Sequence, residues 1–127
     1  MDLFSYLPSE KFTNIINEYA GTYVSPNILK QQIQKYLKEI EKETLQNEFI
    51  NLPLAKKIAS VCLLLLDVYD QYNEEEKKFI NATINYFLHS HDDEEDLYSP
   101  LGFDDDAEIL NECLRLLKKE DLTIEIE

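Results

Sequence analysis

The sequence LAKKIASVCLLLLDVY, residues 54–69, decides the fold class of this 127-residue chain. A helix drawn through it carries apolar residues on almost every side, including four consecutive leucines at positions 63–66. A helix that is apolar all round is typical of the buried centre of a protein. The apolar run at residues 61–66 is too short to cross a bilayer, which takes about 20 apolar residues. We therefore predict that this helix is the centre of an all-α bundle, with Leu64 or Leu65 almost fully buried.

Further helices are predicted around this one from apolar residues spaced three or four apart. One helix follows Ser9, and another begins at Ser25-Pro26, where serine is a cap and proline occupies the first helical position. Asn73 and Glu76 have the spacing of a capping box and predict a helix start. The last helix is predicted over about residues 105–119. The sequence thus predicts one domain, residues 1–127, built as an all-α bundle of about five helices.

The chain ends in LTIEIE, residues 122–127, in which apolar and other residues alternate. Such alternation is typical of a strand, but the rest of the chain offers no partner strand. We therefore predict that residues 120–127 form a flexible tail or an edge used in association.

An acidic loop is predicted between the last two helices. It lies in YFLHSHDDEEDLYSPLGFDDDAEIL, residues 86–110, which holds both histidines and five consecutive carboxylates at positions 92–96. Carboxylates do not enter a core unpaired, and Pro100 and Gly102 indicate turn geometry. We expect Asp104 to cap the helix that follows, with the next two aspartates at its positive end.

This stretch resembles the YkvA-like domain, a small helical family of unknown function. The resemblance consists of a Tyr-Phe pair, four aspartates and a glycine at matching offsets, followed by an apolar helix. The residues that match are Tyr86, Phe87, Asp92, Asp96, Gly102, Asp105 and Asp106, then Ala107, Ile109 and Leu110. The family's prolines are absent, and His91 or its neighbours and Glu95 stand in their place. The resemblance covers roughly a fifth of the chain and implies a helical fold without implying an activity.

The same stretch carries a candidate metal site. Six side chains converge if the two flanking helices are antiparallel: His89, His91, Asp92, Asp96, Asp105 and Asp106. Oxygen-rich sites suit Mg2+, Ca2+ or Mn2+, whereas two imidazoles would favour Zn2+. No standard metal-binding motif matches this spacing. The alternative interpretation is that residues 104–106 cap a helix and residues 92–96 form a solvated loop.

The charge of the chain limits its partners. The formal net charge is -14, and residues 92–112 include no Lys or Arg. Binding to nucleic acid needs basic residues, and an anionic membrane surface repels this chain, so we expect neither partner. The charge favours cations or basic proteins. The start of the chain lacks a basic, apolar leader, and Cys62 and Cys113 fall in apolar helical patterns, so we expect a cytoplasmic protein with reduced, buried thiols.

Four functions fit these observations. The leading hypothesis is a non-catalytic interaction module whose acidic face binds a basic protein surface. Tyr69, Tyr72 and Tyr98 stand near the carboxylates and either contact the partner or cover the rim of the bundle. The alternatives are an acidic inhibitor of the immunity type that blocks a basic cleft, and a protein that binds a divalent cation weakly, or an enzyme that depends on one. Nothing in the sequence marks an oxyanion hole, and we assign no catalytic residue.

Overall fold

The helices of the protein were located in a computed structural model, which describes residues 8–48, 50–89 and 103–125. These residues form five α-helices: α1 Glu10–Glu18, α2 Pro26–Thr44, α3 Leu52–Asp67, α4 Glu74–His89 and α5 Asp104–Leu116. Short 3₁₀ turns follow α3 and α5, at Tyr69–Gln71 and Glu120–Leu122, and this part of the chain contains no strand. The prediction of an all-α bundle of about five helices is confirmed. The predicted acidic loop before α5 lies mainly outside the described residues.

The capping residues predicted for α1, α2 and α4 are in place. The side-chain oxygens of Ser9 and Ser25 each accept a hydrogen bond from the backbone N–H three residues later, at 3.1 and 3.4 Å. Asn73 Oδ1 accepts from the Glu76 N–H at 2.8 Å, and Glu76 Oε1 accepts from the Asn73 N–H at 3.0 Å. These bonds satisfy backbone donors that have no partner inside a helix.

Helix α5 begins differently. Its N-cap residue is Phe103, whose side chain cannot cap, and Asp104 is the first helical residue. The Phe103 ring is buried and lies 6.3 Å from the Phe87 ring of α4, measured between centroids. The prediction that Asp104 is the N-cap is therefore wrong, because packing of Phe103 sets the start of this helix. Residues 104–106 do occupy the first turn, where their charge suits the helix dipole.

Helix α4 is the centre of the bundle. It contacts each of the other four α-helices, and nine of its sixteen residues are buried. Its Phe87 ring lies edge-on to Tyr36 of α2, with centroids 5.1 Å apart. Its Phe79 ring lies edge-on to Phe12 of α1 at 5.9 Å. A helix with neighbours on several sides buries most of its surface, whatever its composition.

Helix α3 is buried along a broad face rather than all round. Ile58 and Cys62 are fully buried, whereas Leu64 is 51% exposed. Consecutive residues of an α-helix point about 100° apart, so four leucines in a row cannot all face neighbouring helices. The prediction that this helix is buried on every side is therefore wrong, but Leu65, 1% exposed, is buried as predicted. None of the described helices has the length and apolar character needed to cross a membrane.

Glu112 of α5 hydrogen-bonds Ser9, the N-cap residue of α1. Its Oε2 accepts from the Ser9 N–H at 2.6 Å, and its Oε1 accepts from the Ser9 hydroxyl at 2.8 Å. A carboxylate at this place also faces the positive end of the α1 dipole. Lys11 Nζ lies 3.7 Å from Asp105 Oδ1, but this ion pair is exposed and adds little. Helix α1, held in this way, forms one wall of a groove beside α4.

The chain after α5 turns back onto the bundle. Lys118 has a left-handed φ of 62°, and the Lys119 N–H donates to a carbonyl in the last turn of α5 at 2.7 Å. Asn111 then holds the backbone of Ile124: its Nδ2 donates to the carbonyl at 2.8 Å and its Oδ1 accepts from the N–H at 2.7 Å. Ile124 is buried. The segment predicted as a tail is therefore docked on α5 as far as Ile124, and residues 126–127 lie outside the described part.

Candidate functional site

A groove of about 380 Å³ lies between the end of α1, the connection to α2 and the start of α4. We call it the tyrosine groove. Its aromatic and charged walls include Tyr19, Tyr23, Tyr69, Asp70, Glu74 and Lys77. Ile16, Ala20 and Pro26 add apolar surface. Grooves that combine apolar and aromatic walls with a few polar groups are the usual places where proteins bind other molecules.

The three tyrosines of the groove differ in exposure. Tyr69, in the 3₁₀ turn after α3, is 4% exposed, whereas Tyr23 is 70% exposed. Tyr19 is half-buried, and its ring stacks on the His89 ring with centroids 6.1 Å apart and an interplanar angle of 17°. The groove therefore combines one buried aromatic wall with one aromatic side chain that projects into solvent. The buried Tyr69 ring gives a bound molecule a fixed surface, and the exposed Tyr23 side chain can adjust its position to contact it.

Lys77 brings a positive charge into the groove. Its Nζ lies 5.5 Å from the centroid of the Tyr69 ring and 3.7 Å from Glu74 Oε1. An ammonium over the face of a tyrosine is attracted by the negative potential of the ring. Asp70 contributes a second carboxylate and Lys78 a second ammonium group. The groove is thus balanced in formal charge, within a chain that is strongly negative.

A polar network behind the groove holds Tyr69 in place. Burial raises the pKa of Tyr69, the neighbouring Tyr23 and Glu74 raise it further, and a hydrogen bond from Asn81 opposes the rise. Asn81 is buried in α4, and its Oδ1 accepts from Asn85 Nδ2. The same Nδ2 donates to the Asn81 carbonyl at 2.8 Å. Tyr69 is therefore a neutral, fixed wall of the groove rather than an acid or base.

Half of the predicted metal site belongs to the part of the chain that the structure does not describe. Those residues are His91, Asp92 and Asp96. Of the other half, Asp105 is exposed and lies near Lys11, whereas Asp106 is 2% exposed and lies in the core near Cys62. Adjacent residues of a helix point in different directions, and here Asp105 faces solvent while Asp106 faces the core.

His89, the remaining predicted ligand, lies at the exposed end of α4 and stacks on Tyr19. Among residues 8–48, 50–89 and 103–125, no three His, Cys, Asp or Glu side chains are grouped so that they could hold a metal ion. Binding of Mg2+, Ca2+ or Zn2+ by the full set of six residues stays a prediction.

The two cysteines are buried and are not joined in a disulfide. Burial raises the pKa of Cys113 to about 12, although a hydrogen bond with Thr83 acts in the other direction. Burial also raises the pKa of Cys62 far above its ordinary value, and Cys113 and Asp106 nearby raise it further. A thiol must ionise to react as a nucleophile, so both cysteines are inert core residues in the folded protein.

The structure describes two of the three tyrosines for which the sequence offered a partner contact or a place at the rim of the bundle. Tyr69 is buried and Tyr72 is half-buried, while Tyr98 lies outside the described residues. Tyr69 still lines the groove, where the Lys77 ammonium group lies over its ring. The sequence does not single out Tyr19 or Tyr23, because neither stands beside a run of carboxylates. The only local signal is that two tyrosines flank the turn around residue 21.

Comparison of the chain with protein-family models, curated proteins and solved structures found no match. The resemblance of residues 86–110 to the YkvA-like domain therefore stays a prediction. Function has to be inferred from the tyrosine groove and the charge of the chain.

Proposed function

We propose that this protein is a non-catalytic interaction module that binds a basic protein partner through the tyrosine groove. The observation that carries the proposal is the groove itself, in which tyrosine side chains stand beside carboxylates. Tyrosines are enriched at protein interfaces because each ring supplies contact area with few rotatable bonds and a hydroxyl for hydrogen bonding. Tyr23, 70% exposed, is the side chain that gains most from being covered.

The charge of the chain supports a basic partner. A net charge of -14 attracts positively charged proteins over distances longer than any single contact. At the groove, Asp70 and Glu74 are exposed, and the Glu74 side chain is 92% exposed. Their carboxylates remain accessible for ion pairs with an arriving lysine or arginine. Long-range attraction and a local aromatic contact thus favour the same class of partner.

The chemistry of the described residues supports binding rather than catalysis. Acid–base catalysis uses groups with a pKa near the working pH, and nucleophilic catalysis uses an activated side chain. Burial raises the pKa of Tyr69 away from that range, and it raises the pKa of Cys62 and Cys113 in the same direction. Both cysteines also lie in the core, out of reach of a bound molecule.

The proposal is tested with a short fluorescent peptide rich in arginine, titrated at about 0.02 M and about 0.15 M salt. We expect binding that weakens as salt screens the charges. Asp70→Asn should weaken it about two- to fivefold, as expected for an exposed ion pair. Tyr23→Ser should weaken it about tenfold or more, because it removes aromatic contact area.

The matched control is Glu39→Gln, which removes one negative charge from an exposed position of α2 outside the groove. It should change the affinity by less than about twofold, since separated surface charges are screened. Equal losses for Asp70→Asn and Glu39→Gln would mean that only the total charge matters. That result, or no binding at low salt, contradicts the proposal.

A further inference from the structure

Lys77 occupies the part of the tyrosine groove where an aromatic ring and a carboxylate can both contact a cationic side chain. Its ammonium group lies 5.5 Å from the centroid of the Tyr69 ring and 3.7 Å from a carboxylate oxygen of Glu74. A cation between an aromatic face and a carboxylate has the two contacts by which proteins recognise lysine and arginine side chains of their partners. Here the protein makes both contacts with one of its own residues.

The contact made by Lys77 is one that a competitor can replace. The Glu74 side chain is 92% exposed and the Lys77 side chain 24% exposed, so water screens their ion pair. Lysine carries its charge on a flexible stem and can swing away by rotation of side-chain bonds. Its departure would open one face of the Tyr69 ring and the Glu74 carboxylate to the groove.

The rest of the groove suits an arginine better than a second lysine. Tyr23 adds an aromatic side chain and Asp70 adds a carboxylate on the same groove. A planar guanidinium stacks on aromatic rings and donates two parallel hydrogen bonds to a carboxylate, whereas an ammonium group does neither. The groove has a volume of about 380 Å³ and is lined by these groups together.

We propose that an arginine side chain of the basic partner displaces Lys77 from its place between Tyr69 and Glu74. This inference rests on the proposed function and adds a regulatory element to it. In the unbound protein, Lys77 acts as an internal competitor that lowers the affinity of the groove for cationic side chains. Partners that offer only an isolated charge do not displace it, while an arginine that also contacts Tyr23 and Asp70 does.

The test compares Lys77→Gln with Lys56→Gln in titrations with the same arginine-rich peptide. Both variants remove one positive charge, but Lys56 is an exposed residue of α3 outside the groove. We expect Lys77→Gln to tighten binding about three- to fivefold, the size of a partly exposed cation–π contact. Lys56→Gln should tighten it by less than about twofold, because its charge is screened.

A second measurement follows the wild-type protein directly. The Lys77 ammonium group lies 5.5 Å from the centroid of the Tyr69 ring, so we expect the ring current to shift the NMR signals of the methylene protons bonded next to it. Addition of the peptide should return these signals towards their positions in unstructured lysine. This readout needs no substitution, so it tests the inference even if Lys77→Gln does not fold.

The outcomes separate this inference from the proposed function. Equal affinities for the two variants, with Lys77 signals unmoved by bound peptide, overturn the inference and leave the binding function standing. Weaker binding in Lys77→Gln would mean that Lys77 is a ligand for the partner and overturns the inference as well. No peptide binding at low salt in any variant overturns both.

Discussion

Helices α3 and α4 contain sixteen residues each and bury different kinds of surface. All seven buried residues of α3 are apolar, yet Leu64 on its outer side is half exposed. The nine buried residues of α4 include three polar ones, Asn81, Thr83 and Asn85. Helix α4 has all four other helices as neighbours, whereas α3 packs mainly on α2. The comparison teaches that the number of neighbours, rather than apolar content, decides how deeply a helix is buried.

The polar residues of α4 connect the core with the tyrosine groove. Asn85 donates to Asn81, and Asn81 in turn hydrogen-bonds Tyr69 at the wall of the groove. Buried polar groups are tolerated when they have hydrogen-bond partners. Helix α3 has no such role, and the residues on its outer side, such as Leu64, face solvent. The less apolar helix is therefore the one that links the core to the tyrosine groove.

The largest expected effect tests the central place of α4. Phe87 is 1% exposed and its ring contacts the rings of Tyr36 and Phe103. We expect Phe87→Ala to lower the free energy of unfolding by about 3–5 kcal/mol, because it leaves a large cavity among aromatic rings. Urea denaturation measures the change, and Phe87→Leu should recover part of it. A loss below about 1 kcal/mol for Phe87→Ala would place α4 at the periphery.

The next prediction compares two adjacent leucines of α3. Leu65 is 1% exposed and Leu64 is 51% exposed. Leu65→Ala should lower the free energy of unfolding by about 2–5 kcal/mol, since it creates a cavity in the core. Leu64→Ala should cost less than about 1 kcal/mol, because the side chain is already half in water. Thermal or urea denaturation measures both changes. Equal losses of stability in Leu64→Ala and Leu65→Ala would contradict an exposed Leu64 and a buried Leu65.

A smaller effect is expected from the polar interior of α4. Asn85→Ala removes the donor that satisfies the buried Asn81 side chain and carbonyl. Leaving a buried acceptor without a partner costs about 1–3 kcal/mol. Gln32→Ala on the exposed side of α2 is the control and should change stability by less than about 0.5 kcal/mol. Equal stabilities of the two variants would show that the Asn81–Asn85 contact is dispensable.

The smallest effect on stability at neutral pH comes from the two buried thiols. This effect becomes larger as the pH rises. In the unfolded chain a cysteine loses its proton around its ordinary pKa of 9.0, whereas the folded protein raises the pKa of Cys113 to about 12 and also raises that of Cys62. Above pH 9 the unfolded state therefore binds fewer protons, and stability falls as pH rises. Each thiol should lower the free energy of unfolding by about 1.4 kcal/mol at pH 10 and by almost nothing at pH 7.

Denaturation at pH 8 and pH 10 measures this loss, and Cys62→Ala should reduce it by the share of one thiol. An identical loss between the two pH values in Cys62→Ala and in the wild-type protein would contradict the raised pKa of Cys62. Tyr69 and Tyr72, whose pKa burial also raises, begin to add to the loss as the pH approaches their ordinary value of 10.0 and add more above it.

The starts of α1, α2 and α4 were determined by the sequence alone. Each depends on a capping residue and a backbone N–H three residues later, so all the interacting atoms lie in one short segment. The class of fold follows from the sequence for a similar reason, because helical spacing of apolar residues is a local property. The start of α5 is the exception, because it is set by packing of Phe103 against Phe87 of α4 rather than by a side-chain cap.

Only the tertiary structure decided which side of α3 is exposed and where the tyrosine groove lies. Four consecutive leucines do not show which one will face solvent, because that depends on where α2 and α5 pack. Tyr23 and Tyr69 lie far apart in the sequence and line one groove only because α1, held by Glu112, stands beside α4. No local sequence pattern predicts that these two side chains lie close together, because their proximity results from many contacts between helices.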